Sequence, residues 1–237
     1  MPTKYTYLVI DLGAIAIPFI FSFHKKINFH RVWYAFWPAN LIIGFIFLVW
    51  DILFTNAGVW GFNDRYILGI RVLGIPVEEI LFFICIPYAS VFTYACFRNF
   101  FPDTFKGCCS ATTALLLALS LAGGLFNITR IYTGFTFILL SFVLILMRFI
   151  FKPGWLHTFY LMFLIILIPF FIVNGLLTGS YIEEPVVWYN DQENLGLRIF
   201  TIPVEDVFYG MLLLLLNIAA FERLKKESGS VSVFNKG

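Results

Sequence analysis

Long apolar runs alternate with short polar segments along the whole chain. Seven runs stand out, at roughly 5–23, 36–56, 76–97, 110–127, 132–150, 156–177 and 203–222. Crossing the hydrocarbon core takes about 20 mostly apolar residues in a helix. Each run is therefore a predicted transmembrane helix. The residues after Lys226, ESGSVSVFNKG, have the composition of a disordered tail.

The polar interruptions carry more information than the runs. Residues 75–83 read IPVEEILFF and residues 202–209 read IPVEDVFY, so the chain twice places a proline and two adjacent acids at the start of an apolar helix. The second occurrence lies 127 positions after the first. Around it, NDRYILGIRVLGIPVE (63–78) aligns without a gap on NDQENLGLRIFTIPVE (190–205), with nine of sixteen positions identical. At the same offset YTYLVIDLGAIAIPFIFSF (5–23) lines up with YTGFTFILLSFVLILMRFI (132–150), which argues against a cleaved leader at the N-terminus. DILFT (51–55) pairs with NGLLT (174–178) if the second loop is four residues longer.

The predicted fold is an all-α integral membrane protein: a three-helix repeat over 1–100, a linker helix over 101–131, a second three-helix repeat over 132–226 and a disordered tail over 227–237. The copies start four spans apart, an even number, so they share one orientation. That predicts parallel repeats about an axis along the membrane normal, with the two IPVE helices entering from one side and facing each other across a cavity.

Composition agrees with the spans. The chain has 237 residues, 60% hydrophobic, 20% aromatic and 13% charged, against about 25% charged in soluble domains. A net charge of +2 is too small to suggest nucleic acid as a partner. The four cysteines, Cys85, Cys96, Cys108 and Cys109, form no CxxC pair and have no histidine at zinc spacing, so neither a disulfide framework nor a metal site is expected. Eleven of the sixteen Lys and Arg residues fall on the side holding the loops after the first, third and fifth spans and the C-terminus. By the positive-inside rule the C-terminus is cytoplasmic, the N-terminus is outside, and the long loops at 57–75 and 178–202 lie on the outer face.

The paired acids are the candidate chemistry. An acid at a helix centre costs roughly 2.5–3.5 kcal/mol on insertion scales, less near an end. One structural account is that Pro76 and Pro203 open their helices, the acids favour the positive end of the dipole, and Arg71 and Arg198 pair with them. Capping needs one acid, however, and each copy has two. If the copies face each other, Glu78, Glu79, Glu205 and Asp206 gather in a dry cavity where full ionisation is disfavoured. A carboxylic acid beside a carboxylate is an acid and a base in one site.

Phe82, Phe83 and Tyr209 follow one turn after the acids, and Trp60, Phe62, Tyr66, Trp188 and Tyr189 precede them. Aromatic faces stabilise cations, by about 2 kcal/mol when desolvated, and equally fill cores and interface belts. Asp51, matched by Asn174, is a further candidate for the site or for a helix–helix contact. Asn63 and Asn190 turn the loop backbone or orient a carboxyl. Asp11, with only Ile138 opposite, ranks lower, and His24, His30 and His157 fall away from the acids. Motifs for hydride transfer, phosphoryl transfer and metal-based desaturation are missing, which leaves proton chemistry on an apolar substrate with no cofactor. A transporter or proton channel, or a pigment-binding protein without catalysis, are the readings from other classes.

The motif Pro76-Val77-Glu78-Glu79, repeated as Pro203-Val204-Glu205-Asp206, resembles that of the integral-membrane carotenoid cyclases. These lycopene cyclases occur as small heterodimeric subunits, as fused single chains, and as the cyclase half of bifunctional fungal proteins. This chain looks like the fused form over about 5–225, most specifically at VWGFNDRYILGIRVLGIPVEEILFF (59–83) and the second IPVED. The second half departs from the first, with Asp206 for Glu79 and only VWYND (187–191) where the first has WGFN. The resemblance implies cyclisation of the ψ end groups of lycopene to β-rings in the cell membrane, through a carbocation and without net redox change. It implies a lipophilic carotenoid substrate and surrounding lipid, with other enzymes of that pathway as possible partners. Hydration of a carotenoid end, or cyclisation of a different acyclic carotenoid, is the nearest alternative. On this reading Glu78, Glu79, Glu205 and Asp206 are the acid/base set, and Phe82, Phe83 and Tyr209 line the cation.

Overall fold

A computed structural model describes residues 3–101 and 109–234. Among them are seven α-helices: α1 (Thr6–Phe21), α2 (Trp33–Asn56), α3 (Val77–Phe100), α4 (Cys109–Phe126), α5 (Ile131–Ile145), α6 (Leu156–Leu177) and α7 (Val204–Phe234). A π-helical turn over Leu146–Phe151 prolongs α5. Five of the seven helical segments are long and apolar enough to cross a membrane; α1 and α4 are shorter apolar helices. At 16 residues α1 is about 24 Å long, short of the ~30 Å hydrocarbon core. α7 reaches Phe234, past the point at Lys226 where composition begins a disordered tail. The part of the linker over 102–108, with Cys108, lies outside the described residues.

The helices are apolar all round, as a helix between lipid and protein must be. On α2, Phe36, Ile43, Phe47, Trp50 and Phe54 are buried, while Leu41, Ile42, Phe45, Ile46 and Leu53 are exposed. The first set faces other helices and the second is left for lipid. α1 packs on α3 and α5 on α7, while α2 packs on α7 and α6 on α3. Each copy thus lends its middle helix to the last helix of the other.

The connections α2–α3 and α6–α7 are ordered rather than open loops, a difference from the all-helical expectation. They contain six short strands: β1 (Trp60–Phe62), β2 (Arg71–Val72), β3 (Ile75–Pro76), β4 (Val187–Tyr189), β5 (Arg198–Ile199) and β6 (Ile202–Pro203). Backbone polar groups near lipid need internal partners, and the strands supply them. Hairpins β2–β3 and β5–β6 are copies: Arg71 opposes Pro76 and Arg198 opposes Pro203. In both turns the same non-glycine position lies in the left-handed region, Leu73 at φ 52° and Phe200 at φ 58°.

Strands β1 and β4 join the copies. They pair antiparallel with Trp60 opposite Tyr189, Gly61 opposite Trp188 and Phe62 opposite Val187. Gly61 and Trp188 are also 127 positions apart, so the ribbon is centred on a residue and its own counterpart. A Cβ on Gly61 would lie 2.3 Å from the Trp188 ring. Only glycine admits the indole there.

Candidate active site

Both motifs fold as the same device. The extended backbone at Pro76 (φ −69°, ψ 151°) turns into α3 at Val77, which puts Glu78 and Glu79 in its first turn; Glu205 and Asp206 start α7 in the same way. Arg71 bonds Asp64 at 2.6 Å and Arg198 bonds Asp191 at 2.5 Å. The arginines therefore serve the loops and not the helix-start acids, which leaves those acids without a cationic partner from this source. Val77 N–H donates to Ile70 O and Val204 N–H to Leu197 O, both at 3.0 Å.

The two acids of each motif point to different places. Glu78 accepts the Leu68 N–H at 2.6 Å. Glu205 accepts the Leu195 N–H at 2.7 Å and the Thr133 hydroxyl at 2.6 Å. Both glutamates are fully buried at 0% exposure, whereas Glu79 at 8% and Asp206 at 5% open onto a cavity. Adjacent helical positions differ by about 100°, and that rotation separates a backbone-holding role from a cavity-facing one.

The cavity has a volume of about 140 Å³ and lies among α1, α2, α3, α5, α6 and α7. A void of about 150 Å³ holds a benzene, so it has the size of one ring. Its wall follows α3 from Glu79 to Thr93, about 21 Å of helix, and that stretch faces Phe163, Ile166 and Phe170 of α6. The acids and the phenols and indole that bond them cluster at the end beneath the strands. Tyr7 donates its hydroxyl to Glu79 Oε2. Tyr132 donates to Asp206 Oδ1 at 2.5 Å and Tyr189 to Oδ2 at 2.9 Å. Trp60 Nε1–H donates to Asp51 Oδ1 at 2.6 Å. Burial, and then the Asp206 charge, push the Tyr189 phenol well above its ordinary pKa, so it stays a donor. Around Tyr209 stand Trp50 at 4.8 Å, Phe47 at 5.2 Å and Trp60 at 6.3 Å between ring centroids, all edge-on.

Of the residues singled out from the sequence, Asp51, Trp60, Glu79, Phe82, Asp206 and Tyr209 line this cavity. Glu78 and Glu205 do not; they hold the loops. Phe83 sits in the core, 6.2 Å from Phe47 between ring centroids, rather than in the wall. Asn63 accepts the Arg65 N–H at 3.0 Å and donates to Glu184 at 2.9 Å, and Asn190 accepts the Gln192 N–H at 3.1 Å. Both asparagines turn the loop backbone outside the cavity. Asp11 is buried on α1 and neither of its carboxyl oxygens has a hydrogen-bond partner among the described residues.

Sequence reasoning passed over Tyr7 and Tyr132. They hold the two cavity acids and are 125 positions apart, not 127, and the helices they sit on begin 125 apart as well, at Thr6 and Ile131. An alignment carried rigidly at 127 sets Tyr5 against Tyr132 and hides the pair. The signal was a tyrosine in the first turn of the first helix of each copy.

The arrangement offers carboxyls beside aromatic faces in a largely apolar cavity, which suits making and quenching a carbocation. Comparison with known proteins points the same way. The family model described as lycopene cyclase matches residues 4–97 and 129–224, one copy each. A bifunctional lycopene cyclase/phytoene synthase of Neurospora crassa is 33% identical over 88 residues, 37% of this chain and 13% of that protein. One of the same description from Podospora anserina is 30% identical over 93 residues, 38% of this chain and 14% of that protein. The matched segments thus span about a seventh of those relatives. No solved structure matches.

Proposed function

Because the chain belongs to the lycopene cyclase family, we propose that it is a membrane-embedded lycopene β-cyclase, an isomerase of the intramolecular lyase type. The substrate is an acyclic carotenoid whose ψ end group enters the acid-lined end of the cavity while the polyene trails along α3 and α6. A cavity carboxyl protonates C2 of the C1=C2 bond. The C5=C6 electrons then close the C1–C6 bond, and a carboxylate removes the C6 proton to leave the β-ring. Atoms and electrons balance without an oxidant or reductant.

The observation that supports this most directly is that Glu79 of one copy and Asp206 of the other line one largely apolar cavity with Trp60 and Tyr209. Water would trap the cation as an alcohol, so the bound polyene has to fill the apolar walls and keep water from the ring-forming end. Glu78 and Glu205 act here by holding the loops that roof the site. The basic side of the chain is placed at the cytoplasmic face of the cell membrane, with the N-terminus outside. Surrounding lipid and other enzymes of carotenoid synthesis are its neighbours on this reading.

Expression in a bacterium that accumulates lycopene, followed by chromatography of the pigments, tests the proposal. New β-carotene supports it. Unchanged lycopene with well-accumulated protein overturns it, and a hydroxylated acyclic product points to a hydratase instead.

A further inference from the structure

We infer that the two copies divide the proton work: Glu79, sharing a proton with Asp51, is the donor, and Asp206, held by two phenols, is the acceptor. The assignment rests on the cyclase reading above and deepens it.

The hydrogen bonds differ between the copies. Both oxygens of Asp206 accept a phenol hydroxyl, one from Tyr132 and one from Tyr189. A carboxylate is acceptor-only, with about four lone-pair sites on two oxygens, whereas a carboxylic acid must spend one oxygen as a donor. Two phenols aimed at one carboxyl fit the ionised form, and lone pairs remain to take a ring proton. Glu79 has one phenol, on Oε2. Its side chain lines the cavity.

Asp51 completes the donor. It lines the same cavity, Trp60 occupies one of its oxygens, and Oδ2 is buried without a partner. Two carboxyls gathered in a dry site do not both ionise, so a proton stays with the pair. The second copy cannot do this. Asn174, the counterpart of Asp51, also lines the cavity and donates its amide to Phe170 O at 3.2 Å. An amide has no transferable proton to share.

In the resulting cycle Glu79 gives its proton to C2, the C1–C6 bond closes, and Asp206 takes the proton from C6. Between turnovers Asp206 gives its proton up to water and the Glu79–Asp51 pair takes one from water, which restores the starting state with no oxidant or reductant.

The test runs full-length protein in native membranes with lycopene in deuterated water, comparing wild type, Glu79→Gln, Asp51→Asn and Asp206→Asn. Wild type places one deuterium in each ring. Glu79→Gln returns unlabelled lycopene with turnover down about 100-fold or more, in the range of general acid catalysis. Asp51→Asn loses label uptake in the same direction. Asp206→Asn still takes up deuterium, and its products shift to rings with a displaced double bond or to alcohols. Unlabelled lycopene from Asp206→Asn together with labelled product from Glu79→Gln overturns the division, as does loss of label in both. Normal label uptake by Asp51→Asn removes Asp51 from the donor. Where an amide variant fails to accumulate, Glu79→Asp and Asp206→Glu replace it: the first lowers label uptake and the second changes the product alone, and the opposite pattern again overturns the division. A wild-type chain that forms no ring and takes up no label defeats the cyclase reading itself.

Discussion

The hairpins above the cavity and the walls of the cavity were duplicated together and have fared differently. In the hairpins the copies share their main bonds: Arg71 with Asp64 and Arg198 with Asp191, Leu68 N–H to Glu78 and Leu195 N–H to Glu205, with the Thr133 hydroxyl added on Glu205 alone. In the walls they disagree: Asp51 against Asn174, and one phenol on Glu79 against two on Asp206. A carbocation reaction needs an acid at one moment and a base at the next. A symmetric scaffold with an asymmetric lining supplies both from one duplicated design.

The comparison breaks most sharply at the cavity acids. Glu79→Gln should lower ring formation by about 100-fold or more, measured as β-carotene formed per unit of protein in the membrane; a loss of only a few fold would mean the proton comes from elsewhere. Next come the phenols. Hydrogen bonds to charged groups are worth about 1.5–3 kcal/mol and neutral ones about 0.5–1.5. Tyr132→Phe should therefore cost roughly tenfold or more in rate and Tyr7→Phe only a few fold, and equal losses would erase the asymmetry of the walls.

The hairpins should respond alike in both copies. Glu78→Met and Glu205→Met each strand a loop N–H, at a cost of about 1–3 kcal/mol. Both should lower the melting temperature in detergent, and a Glu78 variant that melts like wild type would deny its role in holding the loop. The smallest effects belong to the exposed ion pairs. Arg71→Ala and Arg198→Ala should each cost about 0.2–1 kcal/mol, and a much larger gap between the two would show that the hairpins are not equivalent.

The helices were legible because apolar runs of spanning length have few other uses, and the twin motifs because polar matches without gaps rarely arise by accident. Which acid of each pair faces inward was not legible, since it depends on how α3 and α7 are rotated against their neighbours. Tyr7 was hidden by a two-residue slip between the first helices of the copies, and near a membrane interface a lone tyrosine reads as part of an aromatic belt. Arg71 and Arg198 sit close to the acids in sequence, yet Asp64 and Asp191 reach them first across a short hairpin. The wall asymmetry was half visible as Asp51 against Asn174, but its meaning required Trp60 and the unpartnered oxygen.

The glycine–indole contact at Gly61 and Trp188 reaches beyond this one chain. Were the halves made as separate polypeptides, two first halves would meet with an empty notch on each side of the ribbon, and two second halves with a pair of indoles competing for one space. Only the mixed pairing closes. The fused gene would thus carry, in a single position, the reason its halves recognise each other and reject themselves.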